Sequence, residues 1–195
     1  MPDADLDKAA TAIHGGAFGS TGQRCTATSR VIVHPDVRPA LVDRLVASAQ
    51  TIKVGPGLDD TMEMGPSISE RQWSTVMGYI EAGRQAGARL LTGGTRPEHL
   101  SQGHFIEPTI FDGVDPGMRI FKEEIFGPVL SVATASSLDE ALRIANGVEY
   151  GLTTSIFTQD INAVMRFVED AEVGLVHVNE PTAGGEAQLP SGGPH

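Results

Sequence analysis

Apolar residues along the chain alternate between helical spacing and short β-branched runs. Apolar positions three and four apart predict helices over residues 6–17, 37–49, 73–80, 138–145 and 160–170. Short apolar runs predict strands over residues 28–34, 88–92, 129–134, 152–158 and 174–179, and residues 105–111 are predicted to be extended. Because helices and strands alternate in this way, the pattern predicts an α/β fold with helices on the faces of a sheet.

Polar residues mark where three of the predicted helices begin. Ser69 with Gln72 fits a capping box, in which each of the two side chains accepts from the other residue's backbone N–H. Ser137 with Glu140 forms a second such pair. Asp36, which follows the first predicted strand, is predicted to cap the next helix.

Composition and charge narrow the classes of function. A chain of 195 residues with 40% apolar and 20% charged residues is ordinary for a soluble globular protein. No apolar run approaches the ~20 residues of a membrane helix, so no membrane partner is expected. A net charge of -11 repels a phosphate backbone, which argues against a nucleic-acid partner. The acidic N-terminus lacks the basic region of a signal peptide, and the predicted location is therefore cytoplasmic.

The single cysteine, Cys25, lies just beyond a turn that contains Gly19 and Gly22. One cysteine excludes an internal disulfide and a Cys-rich zinc site, and His99 and His104, the closest pair of histidines, lack metal-ligand spacing. We therefore expect no metal. A lone cysteine is commonly a small buried residue, whereas a cysteine in a glycine-flanked turn is accessible to substrate as a nucleophile.

Three stretches together resemble the catalytic domain of the aldehyde dehydrogenase superfamily. They are residues 18–27 (FGSTGQRCTA), residues 122–129 (KEEIFGPV), and residues 178–179 (VN) followed by residues 189–193 (LPSGG). Their order and spacing match the family along almost the whole chain. The resemblance implies a three-layer α/β catalytic domain over residues 1–193, with residues 194–195 as a tail.

The resemblance also implies a chemical role for the central residues of these stretches. Cys25 adds to an aldehyde carbonyl to give a thiohemiacetal, with its own backbone N–H as one donor to the oxyanion. Hydride transfer to NAD or NADP leaves a thioester, which water hydrolyses to the carboxylate. Glu124 binds the nicotinamide ribose, Phe126 lies beside the nicotinamide ring, and Asn179 lies near the substrate tunnel.

Each of these roles has a plainer alternative. A solvated surface carboxylate would explain Glu124 and is the better explanation of Glu123. Core packing would explain Phe126, and a strand-end hydrogen bond would explain Asn179. Gln72 falls where the family sometimes contacts the adenosine side of the cofactor, but the capping box accounts for it equally well.

The chain also departs from the family pattern. Ser191 stands where the family commonly has an aromatic residue beside the substrate tunnel. The general-base glutamate, the oxyanion asparagine and the Rossmann-like cofactor domain of the family all lie upstream of the residues present. We therefore expect the cofactor domain to be absent and the chain alone not to oxidise aldehydes with NAD. An alternative activity of the chain alone is weak ester hydrolysis by Cys25.

Residues 178–186 (VNEPTAGGE) look most like the bacterial members that act on 2-oxoglutarate semialdehyde, which is a carboxylated aldehyde. A cationic side chain near the tunnel would suit such a substrate. Arg24, beside the nucleophile, is the candidate, and a structural ion pair is its plainer role.

Two further classes of function compete with a dehydrogenase. Cys25 with His14 as its base would make a cysteine hydrolase. A non-catalytic assembly module, or a pseudo-enzyme fragment, would keep the fold without the reaction. Loss of a cofactor domain exposes apolar surface, so the predicted partner is a homo-oligomer or self-association through that surface.

Overall fold

The computed structural model describes residues 1–184 and 192–193, which contain six α-helices and six strands. The helices are α1 (Leu6–Phe18), α2 (Arg38–Thr51), α3 (Glu70–Gln85), α4 (Arg119–Lys122), α5 (Leu138–Ala145) and α6 (Ile161–Asp170). The strands are β1 (Arg30–Val33), β2 (Arg89–Thr92), β3 (Thr109–Asp112), β4 (Val129–Thr134), β5 (Thr153–Ile156) and β6 (Leu175–Val178). All the predicted segments are present, and only the short helix α4 is unforeseen.

Four strands form the main sheet, in the order β1-β4-β3-β2. Strands β1, β4 and β3 run parallel, whereas β2 pairs antiparallel with β3 at one edge. The first five residues of β4 are all buried, as expected for a parallel strand covered on both faces. Strands β5 and β6 form a second, parallel pair. The predicted α/β class is confirmed.

Alternate side chains of the main sheet enter two different apolar clusters. Ile110, Leu130 and Val132 face the cluster that contains helices α1 and α2. Phe111 and Val129 face the opposite cluster, which contains α3 and α4. The sheet is therefore the middle of three layers, because successive side chains of a strand point to opposite faces. A smaller cluster packs α5 and α6 against β5 and β6.

The predicted caps are partly right. Ser69 accepts a hydrogen bond from the N–H of Gln72, and Ser137 accepts one from Glu140. Neither partner side chain completes the box, since the carboxylate of Glu140 instead accepts from the N–H and hydroxyl of Ser136. The prediction for Asp36 is wrong: α2 begins after Val37 with no side-chain cap.

A buried carboxylate joins the sheet to α2. The side chain of Asp112, at the end of β3, is 1% exposed and accepts from both Arg38 and Arg89 at 2.5 Å. Burial raises the pKa of Asp112, but the hydrogen bonds from Arg89 and then Arg38 outweigh it and hold the pKa below its ordinary value. The ionised carboxylate therefore ties α2 and β2 to the same strand.

Candidate active site

The turn before Cys25 has an unusual backbone. Ser20, Thr21 and Gly22 have φ angles of 52°, 59° and 65°, in the left-handed region that disfavours residues with a Cβ. The hydroxyl of Thr21 donates to the carbonyl of Gly65 at 3.2 Å, which holds this conformation. Such strain persists only where the surroundings impose it, and here it places Cys25 on the surface.

Gln23 fastens the same turn to a neighbouring loop. Its Oε1 accepts from the N–H of Ile68 at 2.9 Å, and its Nε2 donates to the carbonyl of Pro66 at 3.4 Å. The side chain thus acts as a bridge between the segment before Cys25 and the segment before α3. Sequence reasoning assigned no role to Gln23, because its partners are more than 40 residues away.

A close contact between two glycines joins the Cys25 turn to the segment that contains Glu124. A Cβ at Gly22 would lie 2.1 Å from the carbonyl oxygen of Gly127. A Cβ at Gly127 would lie 2.5 Å from Cγ2 of Val76 on α3. Neither position leaves room for a side chain, so the two segments meet backbone to backbone. This contact sets the spacing between the Cys25 turn and the segment that contains Glu124.

The loop after α4 presents Glu124 and Phe126 to solvent. Gln72 donates through Nε2 to the carbonyls of Ile125 at 3.1 Å and Phe126 at 2.9 Å, which is where its amide goes instead of completing the capping box. Phe126 has a φ of 53° and is 36% exposed, and plain core packing therefore does not explain it. Ile125, between the two, is buried and anchors the loop.

Glu123 differs from the solvated carboxylate that the sequence suggests. It accepts from Arg119 Nε and Nη2 at 3.0 and 2.9 Å, and from the hydroxyl of Tyr79 at 2.8 Å. These hydrogen bonds, that of Arg119 foremost, lower the pKa of Glu123 to about 2. Adjacent glutamates therefore have different tasks: Glu123 holds α4 to α3, and Glu124 is left for other partners.

A groove of about 360 Å³ brings four of the predicted residues together: Arg24, Cys25, Glu124 and Phe126. Strands β1 and β5 both line it, and apolar side chains of α1, α5 and several other segments contribute to its walls. An apolar cleft with a few convergent polar groups is the usual form of a small-molecule site.

Three groups in this groove have unused hydrogen-bonding capacity. Within the described ranges, 1–184 and 192–193, the guanidinium of Arg24 and the carboxylate of Glu124 have no hydrogen-bond partner. The same holds for the backbone N–H of Cys25, which enters none of the turn bonds around it. A free N–H at the thiol is what an oxyanion would require.

Asn179 lies elsewhere. Its Oδ1 accepts from the N–H of Thr158 at 3.0 Å and its Nδ2 donates to the carbonyl of Thr158 at 2.9 Å. Both the oxygen and the nitrogen of the amide are therefore bonded at the ends of β5 and β6, and Asn179 does not line the groove. The geometry favours the strand-end role, and the contact with substrate stays an untested prediction.

His14 is not placed as a base for Cys25. Its Nδ1 lies 3.1 Å from the hydroxyl of Ser48 on α2, and its ring packs edge-on against Phe18. His14 is also absent from the groove, although its neighbour Ile13 lines it. The arrangement gives the cysteine-hydrolase alternative no support.

Some predictions fall outside the part that the structure describes. Among them are Ser191, residues 185–186 and 189–190 of the family-like stretches, and the tail at residues 194–195, so what was predicted for them is untested. In the described part of the chain, no group of three His, Cys, Asp or Glu side chains is arranged to hold a metal. Likewise, none of the helices described above is both long and apolar enough to cross a membrane.

The sequence profile of the aldehyde dehydrogenase family matches residues 1–195. The chain belongs to the aldehyde dehydrogenase family. The predicted family is thus confirmed, and so is the predicted fold, since solved family structures superpose on the chain. The 1-pyrroline-5-carboxylate dehydrogenase from Thermus with bound NAD does so with a TM-score of 0.94 and 36% identity, covering 98% of this chain and 37% of its own.

Curated family members are more similar in sequence. The 2,5-dioxopentanoate dehydrogenase of Saccharolobus solfataricus is 49% identical over 97% of this chain and 39% of its own length. The alpha-ketoglutaric semialdehyde dehydrogenase of Bacillus subtilis is 45% identical over 98% of this chain and 40% of its own length. The chain therefore spans about two fifths of these relatives.

Proposed function

We propose that this chain supplies the nucleophile and part of the cofactor site for oxidation of an aldehyde to a carboxylate with NAD or NADP. The observation that carries the proposal is the groove in which an exposed cysteine shares one cleft with a free carboxylate and an exposed aromatic ring. Similarity to full-length dehydrogenases supports the reaction class, although the chain spans only part of their length.

Cys25 would perform the covalent steps. Its thiolate adds to the carbonyl carbon, and the carbonyl oxygen becomes an oxyanion that accepts from the free backbone N–H of Cys25. Loss of hydride from that carbon leaves a thioester on Sγ. Attack of water then expels the thiolate and releases the carboxylic acid. The strained turn and the Gln23 bridge hold the thiol in place through these steps.

Glu124 and Phe126 fit a nicotinamide nucleoside. A carboxylate has two oxygens that can accept from the two hydroxyls of a ribose, and the carboxylate of Glu124 has no hydrogen-bond partner among the described residues. The exposed ring of Phe126 offers an apolar face beside it. The bound nucleotide would supply the hydride acceptor. Neither residue distinguishes NAD from NADP, because both address the nicotinamide end.

A carboxylated aldehyde, such as 2,5-dioxopentanoate, is the substrate class that we propose. Arg24 is exposed, lines the groove beside Cys25, and has a guanidinium free of ion pairs in the described ranges. No described residue supplies the structural ion pair that would be the plainer role of Arg24. A guanidinium fork suits a carboxylate, and the names of the relatives at 49% and 45% identity agree with this class.

Acyl transfer to Cys25 tests the nucleophile in the chain by itself. Incubation with 4-nitrophenyl acetate should release nitrophenolate and leave an acetyl group on the peptide that contains Cys25, detected by mass spectrometry. Cys25→Ser should abolish both signals. A His14→Ala variant is the matched control and should acylate normally. If Cys25→Ser still releases nitrophenolate at the same rate, the assignment of Cys25 as the nucleophile is wrong. If His14→Ala loses this release, the result supports a cysteine hydrolase instead.

Reconstitution tests the full reaction. The chain is mixed with a separately expressed cofactor domain of the Bacillus subtilis relative, and reduced nicotinamide is followed with 2,5-dioxopentanoate as substrate. Activity that requires Cys25 supports the proposal.

The same mixture tests the substrate class. Arg24→Gln should raise KM for 2,5-dioxopentanoate but not for propanal, whereas Arg44→Gln, on α2, should change neither KM. An equal effect of Arg24→Gln on both aldehydes would refute the substrate class, and a mixture without any activity would count against the dehydrogenase itself.

A further inference from the structure

Arg30, the first residue of β1, binds the backbone that leads to Glu124. Its Nε donates to the carbonyl of Phe121, and its Nη2 donates to the carbonyls of Lys122 at 3.3 Å and Glu123 at 3.1 Å. One guanidinium therefore holds three consecutive carbonyls. The next residue along the chain is Glu124.

These carbonyls need a partner because they stand at the end of a helix. Helix α4 is a single turn that ends at Lys122, and the last carbonyls of a helix have no intrahelical donor. The planar fork of arginine can bond several oxygens at once, whereas the ammonium of lysine is a compact point charge.

Aromatic rings and burial fix the orientation of the guanidinium. Its Cζ lies 5.9 Å from the ring centroid of Phe121 and 5.8 Å from that of Tyr150. Burial lowers the pKa of Arg30, while Tyr150 and then Glu124 raise it. Arg30 therefore lies close enough to Glu124 to feel its charge, while Nε and Nη2 of Arg30 donate to the backbone. Arg30 also lines the same groove as Cys25.

We propose that Arg30 is a positioning residue that sets where Glu124 stands relative to Cys25. Strand β1 follows the Cys25 turn, so Arg30 connects the nucleophile segment to the carbonyls just before Glu124. Gln72 holds the same loop just after Glu124, through Ile125 and Phe126. The loop is thus fixed on both sides. This inference rests on the proposed function of Glu124 as a ribose ligand.

Hydrogen exchange on the chain tests the positioning directly. Arg30→Lys keeps the charge but loses the fork, and Arg44→Lys, an exposed arginine paired with Asp7 on α1, is the matched control. In Arg30→Lys, amides of residues 119–126 should exchange at least about tenfold faster, since local opening becomes easier. Amides of α2 and α6 should keep their rates. Unchanged rates in residues 119–126, or an equal increase throughout the chain, would overturn the inference.

Titration with nicotinamide mononucleotide, followed by NMR, separates this inference from the proposed function. Glu124→Gln should weaken binding about tenfold, the cost of a hydrogen bond to a charged group. Arg30→Lys should weaken it similarly, because the loop that carries Glu124 is then no longer held through the carbonyls of Phe121, Lys122 and Glu123. If only Glu124→Gln weakens binding, the role of Arg30 is refuted and that of Glu124 stands. If the unsubstituted chain fails to bind, the cofactor assignment fails, and exchange alone decides the role of Arg30.

Discussion

Replacement of Gly22 by alanine tests the contact on which the candidate site depends. The new Cβ would meet the carbonyl of Gly127 at 2.1 Å and its carbon at 2.5 Å, both backbone atoms. Backbone cannot rotate away as a flexible side chain can, and Gly127 is blocked behind by Val76. One of the two segments must therefore shift.

Two costs add in this variant. The φ of 65° at Gly22 is left-handed, which costs an alanine about 1–2 kcal/mol. Overpacking of a filled site costs about 1–3 kcal/mol more. We expect a loss of about 3 kcal/mol in the free energy of unfolding, which for a domain of this size lowers Tm by roughly 6–12 °C.

Urea unfolding followed by the fluorescence of Trp73, the only tryptophan, measures this loss. Gly19→Ala is the matched control in the same turn, because Gly19 has a φ of -54° and open space at its Cβ. The free energy of unfolding of Gly19→Ala should lie within about 0.5 kcal/mol of that of the unsubstituted chain. If Gly22→Ala unfolds at the same urea concentration as Gly19→Ala, the close contact between Gly22 and Gly127 is absent in solution.

Three other predictions follow from the same geometry. Asp112→Asn should lower the free energy of unfolding by about 3 kcal/mol at neutral pH, because Arg38 and Arg89 lose their charged partner. Since the folded pKa of Asp112 lies below its ordinary 3.8, its stabilisation is complete above about pH 5 and is lost as the pH falls through the folded pKa. The variant should therefore show a shallower loss of stability in acid than the unsubstituted chain, and parallel curves would contradict the assignment. Gln72→Leu should lower the free energy of unfolding by about 1–2 kcal/mol, because two hydrogen bonds to loop carbonyls are lost. Gln85→Leu, at an exposed position of α3, should lower it by less than about 0.5 kcal/mol in the same urea assay. Iodoacetamide should label one thiol per native chain without denaturant, because Cys25 is exposed; labelling that requires urea would place the thiol in the interior instead.

Local pattern carried much of the fold. Apolar spacing located the helices and strands, because burial of one face imposes a period on the sequence. Ser69 and Ser137 were recognisable as caps since their partners lie three residues away. The sequence pattern does not predict helix α4, because four residues are too few to show a helical period. The sequence places the cap of α2 at Asp36, one residue before the observed N-cap at Val37, because helix ends vary by a residue or two.

The sequence by itself determined which residues are candidates for the chemistry, because the only cysteine and the stretch around Glu124 can be recognised from their local sequence. Only the tertiary structure decided how they are used. The amide of Gln72 bonds to carbonyls 53 and 54 positions away, and Glu123 differs from Glu124 because Tyr79 and Arg119 reach one and not the other. The physical reason is that hydrogen-bond partners and close backbone contacts are chosen by proximity in space, which local sequence does not encode.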